Sequence, residues 1–459
     1  MLKITPEEQR YFEWFHHRSM TKLPGVFDSR FWSTLVLQAS SKEPAVLHAV
    51  LALGAVHRRE VLEVERPRGR CDVFDKQEQF MLRQYSKAIS GLQPHFMAQN
   101  KESWRVTLIA CLIFVFFEYL RGHYKAGGIH LQSGLRLADH CKSILKLSDD
   151  PIDKSIMEAF IRLQLQVQMF GQITEHIHSI SQGSNLYCPT IKFCTLSEAR
   201  QQLDCLLQRS IDLTQLYNQT AVYTGDSPSP ELLKAQSHIR VQLGDWLQTL
   251  KASEMDLGVH TDTGDCFPYR FLSLYHTMAY IMVETCLDTA REFIYDRFTT
   301  NFVSIITQAV EIYKILRSTP ADLFPSHSTA DIGWIPPLYY TALKCRVHRI
   351  RVHAVKILGS DWHKEGIWDS KLAESVLREA IEIEEGEFYQ DCRIDDNFPI
   401  SEVPKAHDLT LPVLPDYYRT SDVTVVLPND PSEKAELVCR RQRGDGNWEL
   451  ISRRLDATL

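Results

Sequence analysis

The chain has 459 residues, 44% hydrophobic and 24% charged, with 20 Gly and 20 Pro; this is close to an ordinary globular composition and excludes wholesale disorder. A formal charge of −7 and an isoelectric point near 6.2 argue against the whole chain being a nucleic-acid binder, because phosphate neutralisation takes a surplus of Lys and Arg. The length admits one large helical body or two to three packed units.

Met1 to Met20 includes Glu7, Glu8, Arg10, Glu13, His16 and His17 and has no apolar signal stretch, so the chain is expected to stay inside the cell. After Pro44, the residues Val46, Leu47, Val50, Leu51, Leu53 and Val56 recur with helical period, and Pro44 suits the first turn. Met81, Tyr85, Ala88, Ile89 and Leu92 repeat the pattern before Pro94. Leu108 to Phe117 is the longest apolar run, about half of the ~20 residues a membrane span requires, and Glu118 ends it; a buried core helix is expected. Leu135, Ala138, Cys141 and Leu145 follow with the same period, and further helices are predicted over 154–170, 198–217, 230–250, 271–295, 302–316, 337–358 and 370–385. Turn residues gather at 181–189, 223–230, 256–268 and 318–337.

Beyond about Glu387 a series of prolines, Pro399, Pro404, Pro412, Pro415, Pro428 and Pro431, breaks any helix. Short β-prone pieces follow at Val423–Leu427, Ala435–Arg441 and Trp448–Ser452, with Gly444-Asp445-Gly446-Asn447 as a tight turn. The expected fold is all-α, a multi-helix body of packed helix pairs over 1–390, followed by a Pro-rich segment and a small β appendage over 391–459.

Several constellations carry competing readings. Lys344, Arg346, His348, Arg349, Arg351, His353 and Lys356 concentrate charge on one expected helix, either a docking face for phosphate or an acidic partner or, as favoured, a solvated face with stems covering the core edge. On the docking reading, charge reversal at Arg346, Arg349 and Arg351 weakens partner capture and leaves the helix intact. Cys345 and His348, three apart, could furnish half a zinc site, but a plain structural role is favoured; His176 and His178, two apart, are too poorly placed on a helix to share a face. The run Glu382 to Tyr389, with Asp391, Asp395, Asp396 and Phe398, mixes acids and aromatics as activation segments do; an ordinary acidic helix end is the preferred alternative. Phe114, Phe116, Phe117, Tyr119 and Tyr124 could line a small-molecule pocket, with core packing preferred. The chain has no phosphate loop, no His-Glu-x-x-His and no Gly-x-Ser-x-Gly; Gly127-Gly128 follows no strand, and Asp139-His140-Cys141 are mere sequence neighbours. No catalytic, cofactor-binding or metal-binding residue is assigned, and no enzyme is expected.

Four stretches carry a family resemblance: Tyr11-Phe12-Glu13-Trp14-Phe15 with Phe27-Asp28-Ser29-Arg30-Phe31-Trp32; Leu35 to Ser40 through Glu43-Pro44-Ala45 and Ala52-Leu53-Gly54-Ala55; Ala110-Cys111-Leu112-Ile113-Phe114 through Glu118 to Leu135; and Ile335-Pro336-Pro337 to Arg346 through Glu365 to Ser370. The chain resembles the regulatory region of fungal binuclear zinc-cluster transcription factors. In such factors a six-cysteine zinc domain precedes this region, each half holding a Cys-x-x-Cys step; here eleven cysteines are scattered from Cys71 to Cys439 without such a step. The resemblance therefore implies a transcription regulator of the nucleus acting through transcription factors or coregulators, with no direct sequence-specific DNA binding and no bound zinc; no membrane is expected, and a homo- or heterodimer is admissible. A secondary-metabolite gene cluster is the expected setting. The alternatives are a small-molecule sensor or accessory protein of a biosynthetic pathway, and a shortened gene product whose upstream exon encodes the zinc cluster.

Overall fold

The computed structural model describes residues 4–65, 76–98, 100–145, 150–172, 191–224, 228–258, 267–288, 292–318, 327–392, 394–430, 432–442 and 447–455. It is an all-α body with a small β appendage, as the periodicity predicts. The first helix, α1 (Pro6–Trp14), starts at a capping box in which Thr5 accepts from the Glu8 amide and Glu8 reaches back to Thr5, with Pro6 in the first turn. A π-helical turn (Phe31–Leu35) leads into α2 (Val36–Lys42). Next come α3 (Pro44–Glu65), α4 (Lys76–Ala98), α5 (Lys101–Leu120), α6 (Tyr124–Leu145) and α7 (Pro151–Met169). Asn100 caps α5 through the Ser103 amide at 2.9 Å, and Asp150 caps α7, where Pro151 again takes the first turn.

The second half of the body consists of α8 (Leu196–Thr224), α9 (Pro230–Ala252), α10 (Phe267–Thr285) and α11 (Thr299–Ser318), followed by α12 (Ile335–Lys344), α13 (His348–Ser360) and α14 (Ser370–Glu385). Neighbours in sequence pack as pairs, α3 on α4, α5 on α6, α8 on α9 and α12 on α13. The helix α5 lies at the centre. Taken whole, Lys101–Leu120 is long and apolar enough to span a membrane although its uninterrupted apolar run is not, and 94% of its most apolar window is buried inside the protein, in agreement with the core-helix expectation. Phe114, Phe116, Phe117, Tyr119 and Tyr124 are all buried, with Tyr85 stacked on Phe117 at 4.7 Å and Trp32 edge-on to Phe116 at 5.1 Å.

Two small sheets complete the molecule. In the first, β1 (Ser328–Thr329) pairs parallel with β2 (Lys364–Glu365), which turns through Gly366 at φ +62° into β3 (Trp368–Asp369). A Cβ at Gly366 would stand 2.0 Å from Gln166 Oε1, so both the turn and the close approach require glycine. These strands of two residues leave no alternation in the sequence, and none was expected there. The second sheet holds β4 (Thr420–Val426), β5 (Glu436–Gln442) and β6 (Trp448–Arg454) in that order, antiparallel throughout. They match the three β-prone pieces to within a few residues, whereas most of the turn expected at Gly444 to Asn447 lies outside the described residues. Val425, Leu437 and Leu455 join the same apolar cluster as the helices.

Two predicted helices are interrupted. The helix expected over 271–295 ends at Thr285, and a 3-10 helix covers Glu292–Phe298. The stretch 337–358 is not a single helix: the backbone is extended at Cys345 (ψ 132°) and Val347 (ψ 110°), dividing α12 from α13. A continuing helix would have bonded the carbonyls of Ala342 and Leu343 to amides one turn on. Instead Arg351 Nε donates to Ala342 O at 2.9 Å, and Arg346 Nη1 donates to Leu343 O. Guanidinium groups thus satisfy the carbonyls that the break exposes.

Candidate functional site

The break sets up the charged cluster from which the basic constellation draws. Arg346, Arg349, Arg351, His348 and His353 are all buried, Arg351 and His353 at 0% exposure. They therefore form neither a docking face nor a solvated face, and both expectations for them are corrected. Arg351 places Nη2 2.6 Å from Glu384 Oε2 and Nη1 2.7 Å from Glu385 Oε1. Arg346 Nη2 reaches Glu292 and Glu384 at 3.0 Å each and donates to Thr420 O at 3.2 Å. Glu384 in turn accepts from Thr420 N at 2.6 Å and Thr420 Oγ1 at 2.8 Å. The physical reason is mutual: a buried charge is tolerated when paired and hydrogen-bonded, and Glu384 and Glu385, with Glu292, are the counter-charges of Arg346 and Arg351.

For the acidic run the preferred reading, an acidic helix end, is the one the structure shows. It ends α14 and then folds back, with Tyr389 buried and its hydroxyl donating to Pro412 O at 2.8 Å. Phe398 lies under the Arg349 guanidinium, 3.2 Å from ring centroid to Cζ, and Lys356 Nζ is 3.9 Å from the same ring. His353 contacts Ile400 O at 2.8 Å, and Arg349 donates to Glu402 O at 3.2 Å. The segment 396–402 is thus strapped across α13. Aromatics that the alternative activation-segment reading would leave in solvent are held by the chain itself.

Titration follows from these contacts. Burial opposes a charge on His348, but hydrogen bonds to Asp396 and Glu385 overcome it and raise its pKa to about 9. For His353, burial prevails and lowers the pKa to about 4. Cys345 sits in the break rather than on a helix with His348, buried with its thiol pushed up to about 12 by desolvation, and His348 is occupied by the two carboxylates. Cys345 and His348 therefore do not share a helix face, which the alternative zinc half-site required. Among the described residues no group of three or more His, Cys, Asp and Glu is placed to hold a metal ion; His176 and His178 lie outside them. Asp139, His140 and Cys141 follow one another on α6, where successive side chains diverge by roughly 100°.

The aromatic block packs the core, and an apolar recess lies elsewhere. A cleft of about 330 Å³ opens between α10, α11 and the first small sheet, lined by Phe267, Phe271, Tyr313, Leu316, Trp334 and Trp362 among others. That volume is at the low end for small-molecule sites. Its floor is fixed by Glu365, which accepts from the amides of Gly333 at 2.7 Å and Trp334 at 3.0 Å at the start of α12. Trp334 Nε1 donates to His363 Nε2 at 2.7 Å. At the rim Arg317 pairs with Asp361 at 2.8 Å, both largely exposed. Sequence reasoning missed Glu292, Trp334, Trp362 and Arg317 as participants; they are far apart in the chain, and no spacing rule brings them together.

Comparison with known proteins gives a consistent picture. The family described as "Fungal specific transcription factor domain" matches residues 10–204. The chain is similar to the aspercryptin biosynthesis cluster-specific transcription regulator atnN of Emericella nidulans, 29% identical over 136 residues, which is 29% of this chain and 21% of that protein. It is also similar to the transcription regulator lscL of Purpureocillium lilacinum, 22% identical over 279 residues, 56% of this chain and 64% of that protein. The match thus spans less than two thirds of either relative, and no solved structure matches the chain. Residues 10–204, which form the α1–α7 half of the body and enter α8, are thus the part of the chain that is similar to the fungal-specific transcription factor domain.

Proposed function

We propose that this chain regulates transcription in the nucleus through protein partners, namely transcription factors or coregulators, in the setting of a secondary-metabolite gene cluster. The observation that carries the reading is the family match over residues 10–204, together with two relatives named as transcription regulators, one of them cluster-specific. The acidic net charge and the burial of the arginine cluster support contact with proteins rather than phosphates. Recognition of a specific DNA site is assigned to another polypeptide or segment, since these 459 residues hold no Cys-x-x-Cys step. Tethering the chain to a heterologous DNA-binding domain tests the proposal: a reporter is activated or repressed, and nuclear-extract pull-downs recover a transcription factor or coregulator. A fusion that does neither overturns it.

The 330 Å³ cleft supports a second reading, a sensor of a mostly apolar small molecule. A panel of cluster metabolites should contain one that raises the melting midpoint of the chain but not that of a Leu316→Trp variant with the cleft filled. An equal shift in both proteins would place binding elsewhere.

A further inference from the structure

The two edges of the C-terminal sheet are built differently. The outer edge of β4 is blunted: its register shifts between Ser421 and Thr424 around Asp422 at φ 51°, and Arg346 and Gln172 donate to its carbonyls at Thr420 and Val425. Bulges and covering groups are the usual devices that keep an edge from pairing. β6 has neither. It is terminal in the sheet order and runs seven residues in unbroken register against β5, from Gln442 opposite Trp448 to Glu436 opposite Arg454. No described strand lies beyond it. Its outward side chains include two large apolar groups, Trp448 at 48% and Leu450 at 71% exposure.

The residues of β6 are symmetric in charge about Ile451. Glu449 stands two positions before it and Arg453 two after, on one face; Trp448 stands three before and Arg454 three after, on the other. We propose that β6 pairs antiparallel with β6 of a second copy of this chain about a two-fold axis at Ile451, making a continuous six-stranded sheet. In that register Glu449 faces Arg453 of the second copy and Arg453 faces its Glu449. Trp448 faces the second Arg454, an arrangement already present within one chain, where Arg440 lies 4.9 Å over the Trp448 ring. A two-fold contact must be self-complementary, and about six to eight main-chain hydrogen bonds accompany the side-chain pairs. A slip of one residue would bring opposite faces of the two strands together, and a slip of two sets Glu449 against Ile451 or Leu455, so the charges select the register. The inference does not depend on the regulatory reading.

Sedimentation velocity on the full chain over a range of concentrations tests it. Wild type is expected to show a concentration-dependent dimer. Arg453→Glu, opposite Leu437 within its own sheet, places four carboxylates across the interface and should weaken dimerisation about tenfold or more. Glu449→Arg should do the same with four guanidinium groups. Mixed one to one, the two variants form a complementary pair and should recover the dimer, a result that misfolding of either variant cannot produce. The proposal is overturned if wild type stays monomeric, if either single variant dimerises as wild type does, or if the mixture of two folded variants remains monomeric.

Discussion

Replacing Arg351 with Met keeps the volume of the side chain and removes its charge. In the structure Arg351 is wholly buried and holds Glu384, Glu385 and the Ala342 carbonyl. Removing one partner of a buried pair costs about 3–5 kcal/mol. Glu384 keeps Arg346 and Thr420, and Glu385 keeps His348, which places the expected loss at the lower end, about 3 kcal/mol. With an unfolding entropy of roughly 2.1 cal/mol/K per residue, a chain of this size unfolding as one unit loses about 3 °C in melting midpoint, and more if α12–α14 unfold as a smaller unit. Arg378→Met is the control: its side chain is 62% exposed and pairs with Glu374 one turn away, worth about 0.3–0.5 kcal/mol and less than 1 °C. Differential scanning calorimetry decides the matter. An Arg351→Met midpoint no lower than that of Arg378→Met refutes the buried-network account. Charge reversal at Arg346, Arg349 and Arg351 is now expected to disrupt the fold, not to reveal a docking face.

Stability should peak near pH 6.5, read by chemical denaturation: His348, raised to about 9, stabilises fully below the unfolded value and loses this as pH rises toward 9, while His57 and His353, each lowered to about 4 chiefly by burial, stabilise above 6.5 and lose this as pH falls. His348→Gln should flatten the alkaline limb; a limb unchanged in slope would show that His348 is not charged in the fold. Gly128→Ala should raise the melting midpoint slightly, since nothing lies within 4 Å of the added Cβ, whereas Gly127→Ala should lower it because its Cβ would meet the Tyr119 ring at 2.4 Å; equal effects in the two variants would contradict that packing. Residues 382–398 tethered alone should not activate a reporter, because their aromatics belong to the packed chain; activation as strong as that of the full chain would restore the activation-segment reading.

The helices and the appendage strands were legible because each is a local matter. The apolar stripe after Pro44, the caps at Thr5 and Asp150, and the three β-prone pieces each express a periodicity or a terminus chemistry that acts over a few residues. The family resemblance is likewise carried by short stretches. What tertiary structure alone decided is where the charges go. Seven basic positions between 344 and 356 and the acids after 382 looked like two separate surfaces, since a sequence shows that a residue is charged but not what faces it. Burial and pairing depend on contacts across 30 to 50 positions, such as Arg351 with Glu385 and His348 with Asp396, and a buried charge is stable only with its counter-charge in place. The same long-range pairing ended α12 early, against the local helical period. It also assembled the cleft from α10, α11 and a hairpin around Gly366, whose strands are too short to leave a pattern. Local period determined the elements of this protein; the electrostatic cost of burying charge, settled only when distant segments meet, determined which of its charged residues are structure and which remain available to partners.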